Sequence, residues 1–441
     1  MGTVILILLI IGEIIFLLLS LRTGSVKRRE KYIWKIVFAA FLTLLLITGI
    51  LEEMSRYGAI LLVLLFQACI GLFAEYRGKS KSYRKGKGIA LFLANIAVYF
   101  LALIPAFLFP QYKPLPVTGD HAVEIAEYTY VDENRIETFS DTGENRSVTV
   151  KFWYPAETGT YPLVVFSHGA FGVIDSNNST YTELASHGYV VASIGHPYHA
   201  MFVTDVNGKT TYASRKFIEQ IYDMNSDETP EGKDNADKNE TDYLKTDYLK
   251  TREWMKVRTE DMNFVLDTIL DKADAANEVP FSLIDGDKIG LFGHSLGGAT
   301  SVQIGRERKD IDAVIDLEGT MMGEYIGIEN GRELYNQEPY PIPLLDVNSR
   351  AVHALALEVP GDGYVNFYMG ERALDYREVI FDNAGHLNFT DLPLVSPPLA
   401  GLLGVGTVDA RECIENVNYV VLTFFNYYLK GEGTLAIEEE Y

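Results

Sequence analysis

Cysteine is nearly absent from this 441-residue chain: Cys69 lies in an apolar run and Cys413 far downstream. Two thiols so placed make no disulfide framework, which excludes a small secreted disulfide scaffold. Basic charge is scarce where a nucleic-acid binder would need it. The chain carries 38 Lys and Arg against 60 Asp and Glu, a formal net charge of −22, and after residue 118 only 24 basic side chains face 55 acidic ones. Phosphate backbones are bound through basic stripes, so no nucleic-acid partner is expected. The first 118 residues have the opposite shortage, with 14 Lys and Arg against 5 Glu and no Asp. Two physically different parts therefore share one chain, which is also too long for one ordinary domain.

The first part is dominated by four apolar stretches, at about 3–21, 33–51, 58–74 and 88–109. Each has roughly the ~17–22 residues needed to cross a hydrocarbon core, which predicts a membrane domain of four transmembrane helices over residues 1–110. Glu13 interrupts the first stretch at a cost of about 3 kcal/mol near a bilayer centre, but the surrounding Leu, Ile, Val and Phe outweigh it. A polar contact to a neighbouring helix is its expected role. The opening Met1-Gly2-Thr3-Val4 lacks the basic region of a signal peptide, so the stretch is read as a retained helix. Arg22, Lys27, Arg28, Arg29, Lys31 and Lys35 flank the first connection, and Arg77, Lys79, Lys81, Arg84, Lys85 and Lys87 the third; the second has only Arg56 beside Glu52 and Glu53. Basic loops stay in the cytoplasm, which places the N-terminus and everything after Pro110 on the outer side. Residues 111–118, with Pro114 and Pro116, read as a stiff linker.

From residue 119 onward, β-branched apolar runs alternate with amphipathic stretches, the pattern of a mostly parallel sheet flanked by helices. Strands are expected at about 147–154, 161–167, 189–194, 288–292, 313–317, 342–347 and 377–381, with a helix over 260–269. The pattern breaks at about 205–251, most strongly from 214, where Thr-Asp-Tyr-Leu-Lys occurs twice, at 241–245 and 246–250. An insertion is expected there, as a loop or short helix; a sharper possibility is a lid whose Tyr243, Leu244, Tyr248 and Leu249 contact an acyl chain.

The chemistry centres on Gly293-His294-Ser295-Leu296-Gly297-Gly298, a G-x-S-x-G between an expected strand and an expected helix. A sharp strand-to-helix turn leaves no room for side chains at the glycines and presents the serine hydroxyl at a helix N-terminus. A serine hydroxyl needs a base, and in proteins that carry this elbow the acid and then the histidine follow it in the chain. Of the two downstream histidines, His386 in a loop after the last strand is favoured over His353 in a helix-like run. Asp316 and Asp346, each on a strand after the elbow, could both orient the imidazole; Glu318 beyond a strand end and Asp362 in a Pro-Gly-Asp-Gly turn are weaker candidates. The glycine-rich stretch Ser167-His168-Gly169-Ala170-Phe171-Gly172 suits an oxyanion hole, with the Ala170 N–H as one donor and the Leu296 N–H as the other. His168 is expected to brace that loop. His196 and His199 lack a third ligand, so no metal site is assigned.

Arg146, Phe152-Trp153-Tyr154-Pro155, Phe166-Ser167-His168-Gly169, residues 184–191 and 258–267, the elbow and Gly385-His386-Leu387-Asn388-Phe389-Thr390-Asp391 together resemble the platelet-activating factor acetylhydrolase-like group of bacterial esterases and lipases, within the α/β-hydrolase superfamily. The resemblance covers most of 125–430 and implies an α/β-hydrolase catalytic domain over 119–441 behind the four-helix membrane domain. It implies Ser295, Asp316 and His386 as the triad, favouring Asp316 over Asp346, and Ala170 and Leu296 as oxyanion donors. It also implies carboxylic ester substrates, short-chain or phospholipid, with no cofactor. The resulting expectation is a multi-pass membrane serine hydrolase with its catalytic domain outside the cytoplasm. An acyltransferase with the same triad and a non-catalytic membrane sensor are the competing readings.

Overall fold

The computed structural model describes residues 1–77, 84–225, 240–275, 278–330, 332–359 and 363–441. It divides into a helical unit, Met1–Lys113 with Leu392–Leu403, and a second unit, Pro114–Asp391 with Gly404–Tyr441.

The helical unit contains α1 (Gly2–Thr23), α2 (Arg28–Ile47), α3 (Met54–Tyr76) and α4 (Lys85–Ala102). Among the described residues, α1, α3 and α4 are long and apolar enough to cross a membrane. The α2 helix falls outside that set, because Arg29, Glu30, Lys31 and Lys35 fill its first turns. The fourth apolar stretch does not run unbroken to 109. It stops at Ala102, and Pro105, which has no N–H to continue the ladder, sits in the first turn of a separate short helix, Ile104–Leu108. Lys79 and Lys81 lie outside the described residues.

Leu9, Leu42, Ile60, Leu64 and Leu103 pack in the interior of this unit. Glu13 is buried there and is met from other helices. Lys31 and Lys35 of α2 pair with it, the latter at 3.4 Å. From α4, Asn95 Nδ2 donates to Glu13 Oε1 at 3.0 Å, and the Tyr99 hydroxyl lies 2.9 Å from both Glu13 Oε1 and Gln67 Oε1 of α3. Polar groups held away from water persist only when partnered in this way. Leu392–Leu403, which the sequence reading placed in the catalytic domain, also belongs to this unit; its Ser396 hydroxyl donates to the Leu108 carbonyl.

The second unit is built on one eight-stranded sheet: β1 (Val123–Ile136), β2 (Asn145–Pro155), β3 (Tyr161–Ser167), β4 (Val190–Gly195), β5 (Ile284–His294), β6 (Ala313–Leu317), β7 (Leu344–Ser349) and β8 (Tyr376–Phe381). The spatial order is β1-β2-β4-β3-β5-β6-β7-β8. The β1–β2 and β2–β4 pairs are antiparallel and all others parallel. Seven strands fall where the apolar runs predict them. The first does not, because it is an edge strand that mixes Glu124, Glu127, Asp132 and Glu133 with exposed Ile125 and Val131, leaving no apolar run to read.

Alternation along the central strands sends Leu163 and Val165 to one face and Val164 and Phe166 to the other. The first face packs on Met262, Val265, Leu266 and Ile269; the second packs on Leu184 of α5 (Asn178–Ser186) and on Val417, Val421 and Phe424 near the C-terminus. A parallel sheet covered on both faces carries the near-continuous apolar strands seen here.

The expected insertion is more regular than its sequence suggests. A hairpin, Phe202–Thr204 with Thr210–Tyr212, is followed by α6 (Arg215–Asn225); residues 226–239 lie outside the described residues. The tandem Thr-Asp-Tyr-Leu-Lys copies are not a loop. They open α7 (Glu240–Ala275), a 36-residue helix that runs on through the expected 260–269 segment. A five-residue period advances about 140° around a helix, so the repeat produces no apolar stripe to recognise.

Candidate active site

Ser295 follows β5 directly and precedes α8 (Leu296–Glu307), with φ 56° and ψ −125°. A non-glycine residue in that region is strained and is held by its surroundings; here the Ser295 N–H donates to the Leu317 carbonyl at 2.9 Å. The flanking glycines are required by close approach. A Cβ on Gly293 would lie 2.2 Å from the Gly297 carbonyl oxygen, and one on Gly297 would lie 1.9 Å from the Ser167 carbonyl oxygen.

His386 begins a single turn, His386–Phe389, beyond β8. Its Nδ1 lies 2.7 Å from Glu318 Oε2, while Glu318 Oε1 accepts the Ser349 N–H at 2.8 Å. The His386 carbonyl accepts Nε2–H of His294 at 2.9 Å. Burial, then the neighbouring His386, holds His294 well below the ordinary histidine range, so it stays neutral and braces the turn.

The acid facing the imidazole is therefore Glu318 and not Asp316, which corrects the sequence expectation. Asp316 is still inside β6, fully buried, with its carboxyl against α8: a Cβ on Gly298 would come within 1.8 Å of Oδ1. Its Oδ1 accepts the Gly319 N–H at 2.8 Å. Burial, followed by the charge of Asp346 across the β6–β7 register, raises Asp316 well above the carboxylate range. Glu318 lies one residue past the strand end, where φ 53° frees its side chain from the pleat. Asp346 is likewise internal, bonded by Asn366 Nδ2 at 3.2 Å and the Tyr376 hydroxyl at 3.0 Å. Asp362 lies outside the described residues. His353 sits in the helix Arg350–Leu357 with its Nδ1 2.7 Å from Glu378 Oε1.

The glycine-rich loop after β3 reaches the elbow: a Cβ on Gly169 would lie 3.1 Å from the Ser295 Cβ. Leu296 and Ala299 pack with Phe217 of α6 and with Trp254 and Met255 of α7, and Ala170, Phe171 and Met322 join them. These side chains form the apolar surroundings of the elbow. Leu249, suggested by the repeat as an acyl contact, is 66% exposed, and the side chain of Tyr243 lies outside the described residues. His168 donates from Nδ1 to the Gly169 carbonyl at 2.7 Å. His196 and His199 face protein groups: His196 lies between Asp261 and Ser167, and His199 stacks on Phe217 with centroids 4.0 Å apart.

Strand order, a strained serine between strand and helix, and a histidine–carboxylate pair beyond later strands define an α/β-hydrolase. The fold is shared with a ferulic acid esterase from Streptomyces cinnamoneus, at a TM-score of 0.52 and 20% identity over 73% of this chain and 94% of that one. Residues 142–434 match the family model described as platelet-activating factor acetylhydrolase, isoform II, and the chain belongs to that family. Platelet-activating factor acetylhydrolases of Cavia porcellus and Bos taurus are 24% and 25% identical over 295 and 281 residues. These alignments cover 64% and 61% of this chain, and 61% and 57% of the relatives' length.

Proposed function

We propose that the protein is a membrane-anchored serine hydrolase of carboxylic esters. Ser295 attacks the ester carbonyl, His386 takes the hydroxyl proton and returns it to the leaving alcohol, and Glu318 holds the imidazole in the tautomer that accepts at Nε2. The Ala170 and Leu296 amides stabilise the tetrahedral oxyanion. Water then cleaves the acyl-enzyme, with His386 acting as base a second time. The observation that carries this reading is the 2.7 Å contact between His386 Nδ1 and Glu318 Oε2, on the same unit as a serine strained at φ 56°. The names of the Cavia porcellus and Bos taurus relatives support short acyl groups on phospholipid-like substrates.

The four N-terminal helices anchor the chain, and the basic first and third connections favour an extracytoplasmic hydrolase unit. Reporter fusions after Tyr441 that are active only in the cytoplasm would reverse this orientation. The central test is hydrolysis of p-nitrophenyl esters, acetate through palmitate, by the detergent-solubilised full chain and its Ser295→Ala variant, together with labelling by a fluorophosphonate. Turnover and labelling abolished by Ser295→Ala are expected. Labelling without hydrolysis, with transfer to an added alcohol, would redirect the reading to an acyltransferase; no labelling of folded wild type would leave a sensor.

A further inference from the structure

Behind the glycine-rich loop lies a second serine–histidine–aspartate chain that no substrate can reach. His196 Nδ1 is 3.0 Å from Asp261 Oδ2 and His196 Nε2 is 3.0 Å from the Ser167 hydroxyl; all three residues are fully buried. Arg146 grips Asp261 through two bonds of 2.9 and 2.7 Å, and Arg135 adds a third at 2.6 Å. One helical turn from Asp261 on α7, Arg258 is also fully buried and turns its guanidinium on the loop backbone. It donates to the His168 carbonyl at 2.8 Å and to the Gly169 carbonyl at 3.1 Å. A buried arginine is costly unless each of its donors is used, and this one is spent on main-chain oxygens rather than on a carboxylate.

The Gly169 carbonyl belongs to the same peptide group as the Ala170 N–H. Because a trans peptide is planar, its C=O and N–H point in opposite directions, so fixing one fixes the other. Arg258, Nδ1–H of His168 at 2.7 Å and the Gly172 N–H at 3.1 Å all converge on that oxygen. Donors on a carbonyl also polarise the peptide and strengthen its N–H as a donor. Burial, then the charge of Arg258, holds His168 well below the ordinary histidine range, so it remains a neutral donor to the oxygen at neutral pH.

We propose that Arg258 and His168 are positioning residues that aim and polarise the Ala170 amide at the transition-state oxyanion, seated by the buried Asp261–His196–Ser167 chain. The proposal rests on the hydrolase reading above. It assigns them no contact with substrate. Their effect is confined to the charge that develops on the carbonyl oxygen, so they act on turnover and not on ground-state binding.

The test compares Arg258→Met, Arg258→Lys and His168→Gln in the full chain. A single oxyanion donor is worth roughly 10²–10³ in kcat. We expect Arg258→Met to lower kcat by about 30- to 100-fold with KM within about twofold, and to slow fluorophosphonate labelling by the same factor. Lysine keeps the charge but cannot fork two carbonyls, so Arg258→Lys should recover part of the loss. The shape of the pH profile of kcat/KM should not change, and hydrogen exchange of residues 165–173 should accelerate. A rise in KM at constant kcat, or wild-type labelling rates in Arg258→Met, would overturn the proposal and leave the hydrolase standing. Absence of labelling in folded wild type would remove both. If neither Arg258 variant folds, His168→Gln decides by the same kcat, KM and labelling readouts.

Discussion

Oε2 of Glu318 lies 2.7 Å from Nδ1 of His386, and the other oxygen of the same carboxylate is tied to the Ser349 amide. Both oxygens of the glutamate are thereby held, one by a neighbouring strand and one by the imidazole. Glu318→Gln is expected to lower kcat by about 10⁴-fold through the wrong tautomer, as loss of the orienting carboxylate does in serine hydrolases generally. Asp316→Asn should change kcat by less than about tenfold, since Asp316 touches the Gly319 amide and not the imidazole. Steady-state kinetics on one p-nitrophenyl ester ranks the two, and the opposite order would return the acid role to Asp316.

Trp254 and Phe217 stand edge to face, 5.6 Å between centroids at 86°, and pack with Leu296 beside Ser295. Truncating Trp254 to alanine opens apolar space at the elbow. The ratio of kcat/KM for octanoate over acetate should rise by about tenfold, the scale on which apolar pockets discriminate chain length. An unchanged chain-length profile would place the acyl group elsewhere.

Burial, then the charge of Glu378, pushes Asp346 from 3.8 up to about 7. The folded state therefore holds this proton more tightly than the unfolded chain. That contribution to stability is complete below the unfolded value and is lost as pH rises through about 7. Melting temperature should fall from pH 5 to pH 8, and Asp346→Asn, which cannot ionise, should fall less steeply. Asp391, also raised to about 7, leaves a residual slope. Identical slopes in the variant and wild type would show that Asp346 is charged throughout.

In the helical unit Glu13 answers two lysines, and the Lys35 side chain is only 6% exposed. Glu13→Leu leaves that ammonium, still bonded to Gln67 Oε1, without its counter-ion and should destabilise the unit by about 3 kcal/mol, read by reversible unfolding of the full chain in mixed micelles. Glu13→Gln, which can still accept from Asn95 and Tyr99, should cost less. Equal stability of the leucine variant and wild type would mean that the lysines find water.

Most of the sheet was legible because its central strands are buried on both faces and read as apolar runs, as in Leu163–Ser167 and Val190–Gly195. The edge strand was not, for the converse reason. The elbow was legible because its glycines answer a steric demand that is local in sequence. The acid was not, since the choice between Asp316 and Glu318 depends on where β6 ends and on a positive φ, neither of which composition encodes. Arg258 and Asp261 lay in a segment recognised only as similar to a family; their roles emerge when α7 brings them against β2 and β3. The repeat at 241–250 misled because its period matches no regular element, although the chain there is helical.

The helical unit includes Leu392–Leu403, a segment that departs and returns within the C-terminal half. A protease cutting once in the proline-rich linker would therefore not yield two separate bodies. The N-terminal fragment would stay clasped by a short piece of the other fragment, through the Ser396–Leu108 bond and its neighbours. Release by cleavage would need further cuts near residues 391 and 404, so freeing the second unit from the helical one is a three-cut problem.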